Sequence, residues 1–190
     1  MSTRGFTLVE LIAALAISSI LLSLALPSFE SMIEHYRTTS RVNSLIGLVR
    51  FARQAAVMER NWVTLCPART VGDNQICTNS RQWQSGIMAF SDLNRNGVKE
   101  SQERLLAYQP ALKSGETLYW RAFRNRNYIQ FTSAGYTNWQ NGSFQYCPAS
   151  RDPHHSKVII INIPGRATPS VDRDGDGIDE YANGNPLACS

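Results

Sequence analysis

Arg4-Gly5-Phe6-Thr7-Leu8-Val9-Glu10, continued by the apolar stretch from Leu11 to Leu26, decides the fold of this chain. Phe6 to Leu26 is a run of 21 residues whose only charge is Glu10. About 20 apolar residues let a helix cross a bilayer, so the run reads as a membrane-length helix. A charged residue at the centre of such a helix costs about 2.5–3.5 kcal/mol, and one near its end costs less. Ionisable groups kept there usually have a partner and a task. A secretory signal would have a shorter apolar stretch and a small-residue cleavage site. Ser23-Leu24-Ala25 is a poor version of that site, and the run is too long. A plain membrane anchor explains the length but gives no reason for Gly5 or Glu10.

Gly5-Phe6-Thr7-Leu8-Val9-Glu10 closely resembles the leader of type IV prepilins. The resemblance implies that prepilin peptidase removes residues 1–5, cutting between Gly5 and Phe6, and methylates the new amine of Phe6. It implies that residues 6–27 serve first as a transmembrane helix and later as filament core. It also implies that Glu10 meets the Phe6 amine of a neighbouring subunit. A buried carboxylate finds a buried ammonium only when that subunit docks in register.

The helix is expected to continue over residues 28–59, which contain one glycine, Gly47, and no proline. Val42, Leu45, Ile46, Val49, Ala52 and Ala56 recur at helical spacing and form one apolar stripe. Pro27 lacks a backbone N–H, which predicts a kink or local melting there. After Arg60 the pattern changes to short β-branched and aromatic runs bounded by Gly, Asn, Pro or Ser. The expected strands are Trp62–Cys66, Gly86–Asp92, Arg104–Gln109, Thr117–Trp120, Tyr128–Thr132, Ser143–Cys147 and Lys157–Ile163. No βαβ alternation is visible, so the sheet is expected to be mainly antiparallel and the class α+β. Residues 60–163 read as a β-rich globular domain. Residues 164–190, rich in Gly, Pro, Asp and Asn, read as an extended tail with an acidic loop.

The four cysteines, Cys66, Cys77, Cys147 and Cys189, lack zinc spacing and contain no Cys-x-x-Cys. With a membrane segment ahead of them they point to disulfides in an exported domain. Three pairings are open. Cys66 with Cys77, closing a short loop, and Cys147 with Cys189, pinning the C-terminus to a strand, is the favoured one. The formal charge of +4 is unevenly spread. Residues 117–171 carry six basic side chains against Asp152 alone, whereas 172–180 carry five acids against Arg173.

The order of Cys66, Cys77, Trp83, Gly86, Phe90-Ser91-Asp92, Asn94, Asn96-Gly97, Glu103-Arg104-Leu105-Leu106, Phe131, Gly135, Phe144, Tyr146-Cys147 and Gly165-Arg166 resembles the minor pilins and pseudopilins of the GspH/FimT family, FimU-type subunits included. The resemblance implies a type IV pilin-like fold, in which one long N-terminal helix packs on an antiparallel sheet and a disulfide tethers the tail. It implies a subunit held in the inner membrane with its C-terminal domain in the periplasm, then built into a type IV pilus or type II secretion pseudopilus. It implies a place near the tip and a role in priming assembly. The implied partners are other major and minor pilins, prepilin peptidase, the inner-membrane assembly platform and a tip adhesin.

Some members of this family bind DNA in natural transformation, through a Gly-Arg-x-Arg tail pattern. Gly165-Arg166-Ala167-Thr168 lacks the second arginine. A different basic stretch, Tyr119 to Tyr128, interleaves Arg121, Arg124 and Arg126 with aromatics, and with Arg166 forms the candidate DNA surface. Solvated arginines beside core aromatics are the plainer explanation. No cofactor is required. Asp172, Asp174, Asp176, Asp179 and Glu180 alternate before glycines as calcium loops do. Asp92 to Glu103 also matches an EF-hand loop pattern, yet Asn96-Gly97 between strands reads as a hairpin. His154 and His155 beside Asp152 read as a polar loop. With no phosphate loop, dinucleotide fingerprint or nucleophile elbow, an enzyme is the least expected class.

Overall fold

The computed structural model describes Gly5 and residues 7–72, 74–124 and 126–189, without the side chains of 24–28. The chain divides into two compact units, Met1–Arg37 and Thr38–Ser190. One helix, α1, runs over Leu8–Met58 and contributes to both. It continues through residue 27 as α-helix, so the local melting expected at Pro27 as the alternative to a kink does not occur.

Within the first unit, Thr7 and Glu10 start α1 with a reciprocal cap. The Glu10 backbone N–H donates to Thr7 Oγ1 at 3.3 Å, while Glu10 Oε2 accepts from the Thr7 N–H at 2.9 Å and from its hydroxyl at 3.0 Å. Ser18, Ser19 and Ser23 turn their hydroxyls back onto the helix carbonyls of Ala14, Ala16 and Ile20. From Leu8 to Ser23 the hydroxyls are thus bonded within the helix, and the large apolar side chains face outward.

In the second unit, nine strands follow α1: β1 Val63–Val71, β2 Asn74–Cys77, β3 Gly86–Ser91, β4 Leu105–Pro110, β5 Thr117–Ala122, β6 Ile129–Phe131, β7 Gly142–Cys147, β8 Lys157–Ile161 and β9 Ala167–Pro169. They form two antiparallel sheets among the described residues. One has the order β2-β1-β3-β4, with β6 also paired to β1, and the other the order β5-β7-β8-β9. β2 and β9 lie outside the expected strands. Each is short and poor in apolar residues, and each is held by pairing with a stronger neighbour, β1 and β8. β1 runs on through Pro67, whose carbonyl accepts the Thr78 N–H at 2.7 Å.

The stripe from Val42 to Ala56 is buried against both sheets, together with Val63, Leu65, Ile129, Phe131, Ile159 and Ile161. Trp83, Trp120 and Phe144 form the aromatic centre: the Phe144 ring lies 4.7 Å from Trp83 and 4.5 Å from Trp120, centroid to centroid. Polar ties pin the helix to the sheets along its length. Thr38 Oγ1 donates to the His155 carbonyl at 2.9 Å, Arg41 pairs with Glu116 at 3.5 Å, and Gln109 Nε2 donates to Ser44 Oγ at 2.9 Å. Arg53 Nε donates to the Gly135 carbonyl at 2.9 Å, and Arg104 pairs with Glu59. Gly135 and Gly165 take φ of 77° and 74° beside Arg53. A Cβ on Gly165 would sit 2.8 Å from the Gly135 carbonyl oxygen, so the turn requires glycine twice over.

Candidate functional site

The N-terminal segment is built to present apolar surface. From Leu8 to Leu22 the large apolar side chains are 55–74 % exposed, on every side of the helix. A helix that is apolar all round belongs in lipid or among other helices. Among the described residues no helix is long and apolar enough to cross a membrane; of the undescribed side chains of 24–28, those of 24–26 belong to the apolar run. Glu10 meets only Thr7 among the described residues. Gly5 is exposed, and a Cβ there would meet nothing within 4 Å. Phe6 lies outside the described residues.

Two disulfides hold the periphery of the second unit. Cys66 pairs with Cys77 across the β1–β2 hairpin, and Cys147 at the end of β7 pairs with Cys189. The tail is tied down at further points. Gln145 Nε2 donates to the Ala188 carbonyl at 2.7 Å, Lys157 Nζ to Asp179 Oδ1 at 2.5 Å, and Ser170 Oγ to Asp179 Oδ2 at 2.6 Å.

That arrangement changes the composition of the acidic loop. Asp172, Asp174 and Asp176 are exposed, their carboxylate oxygens lie within 4.8 Å of one another, and they could hold a metal ion. Asp179 and Glu180, expected beside them, are engaged elsewhere. Asp179 is buried against Lys157 and Ser170, and Glu180 Oε2 accepts the Arg173 N–H at 3.0 Å. The Gly175 N–H, and after it that of Gly177, hold the Asp172 carboxyl below its ordinary range.

In the other EF-hand-like stretch the buried carboxylates are spent on protein donors. Asp92 accepts from Thr64 Oγ1, Gln130 Nε2, and the N–H groups of Asn96 and Gly97. Glu103 accepts from the N–H groups of Leu93 and Glu100. Together they brace the β3–β4 connection.

The basic surface is less suited to stacking than its composition implies. Trp120 is buried, and its indole N–H donates to the Arg126 carbonyl at 3.1 Å. The guanidinium groups of Arg121 and Arg126 lie 5.6 Å from the ring centres of Tyr119 and Tyr128, respectively. Phe123 stands out at 82 % exposed. Arg121 is the penultimate residue of β5, Arg124 and Arg126 follow in its loop, and Arg166 sits on the β8–β9 turn with its N–H donated to Asn162 Oδ1. His154 and His155 belong to a 3₁₀ turn capped by Asp152. A hydrogen bond from the His154 ring and another from its N–H hold the Asp152 carboxyl low.

One cluster was not legible in the sequence. Tyr146 is buried beside Glu116, Arg41 and Thr38, and its hydroxyl pKa is pushed up to about 12, first by burial and then by the Glu116 charge. Its four members come from three distant segments, so spacing carried no signal of it.

Comparisons with known proteins agree with this architecture. Residues 41–165 match the family model for the type II transport protein GspH, and residues 1–26 match the prokaryotic N-terminal methylation motif. Two crystal structures of the type IV minor pilin FimU from Pseudomonas aeruginosa PAO1, in different crystal forms, share the fold. One matches at a TM-score of 0.54 and 16 % identity over 84 % of this chain and 99 % of that one. The other matches at 0.52 and 16 % over 80 % and 99 %. No curated protein matches significantly.

Proposed function

The chain belongs to the GspH family of type II transport proteins, and from that premise we propose that it is a minor pilin or pseudopilin, assembled through its N-terminal helix into a type IV pilus or type II secretion pseudopilus. Prepilin peptidase removes residues 1–5 and methylates Phe6. Until assembly, the apolar helix holds the protein in the inner membrane, with the domain after it in the periplasm. During assembly the helix leaves lipid for a core of other N-terminal helices, and Glu10 pairs with the Phe6 ammonium of an adjoining subunit. The subunit sits at or near the tip, primes assembly, and offers its domain to neighbouring minor subunits or to a tip adhesin.

One observation carries this reading: the first turns of α1, from Leu8 to Leu22, are exposed and apolar on all sides, and their single carboxylate, Glu10, meets only Thr7 among the described residues. Solvent is a poor environment for such a surface, and lipid followed by a helical filament core accounts for it. Mass spectrometry of the N-terminus from membranes and from sheared filaments tests it. The expected species begins at methylated Phe6 in both fractions. A chain that begins at Met1 in filaments, or loses the helix altogether, rules the reading out.

DNA uptake on the same scaffold is the second reading, and the exposure of Phe123 among Arg121, Arg124 and Arg126 is what favours it. Gel shifts at rising salt decide between them. Salt-sensitive binding that disappears in an Arg121, Arg124, Arg126 triple alanine variant would select DNA uptake.

A further inference from the structure

The solvent face of the second sheet carries a groove of about 370 Å³. Arg121 and Arg151 line it, with Thr117, Tyr119 and the side-chain amides of Gln82, Gln84 and Gln145. No carboxylate lines it, and neither arginine has an acidic partner among the described residues. Both guanidinium groups belong to exposed residues. Arg151 takes a φ of 62°, a conformation that strains any residue with a Cβ. Its Nη1 donates to Thr117 Oγ1 at 2.9 Å, so the guanidinium is held in place by the sheet. Gln84, one of the lining residues, has its amide oxygen buried without a hydrogen-bond partner.

We propose that this groove binds an acidic oligosaccharide, a short run of sugars bearing carboxylates. Guanidinium groups recognise carboxylates through paired N–H donors. Arg151 is bonded to Thr117 and so marks one end of β5, while Arg121 marks the other. Four residues of strand span about 13 Å, which suits two separated charges better than one small anion. Glutamine amides between them offer both donors and acceptors, as sugar hydroxyls require. The volume lies within the range of about 300–1,000 Å³ common to ligand sites.

Two other polyanions fit less well. An extended acidic peptide would gain most from pairing with a free strand edge, but β5 is flanked by β7 on one side and by residues 81–83 on the other. Trp83 N–H donates to the Leu118 carbonyl and Trp120 N–H to the Arg81 carbonyl. A nucleic acid strand needs aromatic faces for its bases. Tyr119 is the one aromatic residue lining the groove, and its ring lies under Arg121.

Calorimetric titration of the full chain in nonionic detergent with trigalacturonate tests the proposal. Binding that weakens as salt rises is expected, with no heat from neutral maltotriose. Arg121→Gln and Arg151→Gln should each weaken binding about tenfold or more. Lys99→Gln, outside the groove, should leave it unchanged. Arg151→Gly relieves the backbone strain while removing the guanidinium, so it should melt no lower than the wild type and still bind poorly. Binding that survives both groove substitutions, absence of binding at low salt, or tighter binding of hexaglutamate or oligo-dT than of trigalacturonate would each overturn it.

Discussion

The two halves of α1 are both rich in apolar residues, and their surroundings differ completely. Leu15 and Leu21 are 63 % and 62 % exposed, whereas Val49 and Ala52 are fully buried. In the first half the apolar residues are spread around the helix and the hydroxyls bond inward. In the second half they form one stripe, and the polar side chains at its margins, Thr38, Arg41, Ser44 and Arg53, reach into the sheets. The difference teaches where the hydrophobic driving force is satisfied. The second half finds apolar cover within its own chain and supplies folding stability. The first half carries apolar surface left exposed within the chain, and on the proposed function its free energy appears on membrane insertion and assembly.

Glu10 offers the sharpest way to break this contrast. Glu10→Ala should lower recovery in sheared filaments by at least about tenfold, since the approaching ammonium would lose its partner, while the melting temperature of the folded domain stays unchanged. Glu10→Gln can keep the reciprocal cap with Thr7 and removes only the charge. If it assembles as well as the wild type, by immunoblot of the filament fraction, the carboxylate serves the helix start and not subunit pairing.

Phe144→Ala should cost about 3–5 kcal/mol in denaturant unfolding, because it removes the ring between Trp83 and Trp120. A cost below about 1 kcal/mol would mean that the aromatic centre repacks.

The disulfides should rank by the loop they close. Replacing Cys147 and Cys189 by serine, at a separation of 42 residues, is expected to cost about 4 kcal/mol, and replacing Cys66 and Cys77, at a separation of 11, about 3 kcal/mol. Thermal melts of the two double variants check the order.

Tyr146 gives a smaller effect with a definite pH window. Its pKa in the folded domain is raised to about 12 from an ordinary value near 10. Its contribution is therefore complete below pH 10 and lost as pH rises from about 10 to about 12. Tyr146→Phe should flatten the stability profile in that window, and tyrosinate absorbance of the wild type should show one residue titrating late.

The smallest effect belongs to the first half of the helix. Leu15→Ala should change domain stability by less than about 0.5 kcal/mol, as an exposed substitution does. A larger change in the melting curve would show that the first half contributes to the fold.

Much of the fold was legible because it is encoded locally. The helical stripe from Val42 to Ala56 and the strongest strands, β3, β7 and β8, follow from periodicity within a few residues. β2 and β9 were not legible, since neither has a strong pattern and each exists through its pairing partner. The acidic loop was partly legible: alternate aspartates marked the exposed trio, but nothing local showed that Asp179 would turn inward to Lys157. The basic stretch was legible only as composition: nothing local showed that Trp120 would be buried or that Arg121 and Arg126 would lie over the rings of Tyr119 and Tyr128.

By itself, the sequence determined the order of the helix and the principal strands, the antiparallel class, the membrane-length run and the place of its one acid. All of these depend on spacing along a single segment. The favoured cysteine pairing was borne out, whereas the tertiary structure alone decided which acids remain at the surface, how Thr38, Arg41, Glu116 and Tyr146 come together, and that Arg121 and Arg151 share a groove. Those contacts join residues tens of positions apart, and they form only after burial of the core has brought the strands into register.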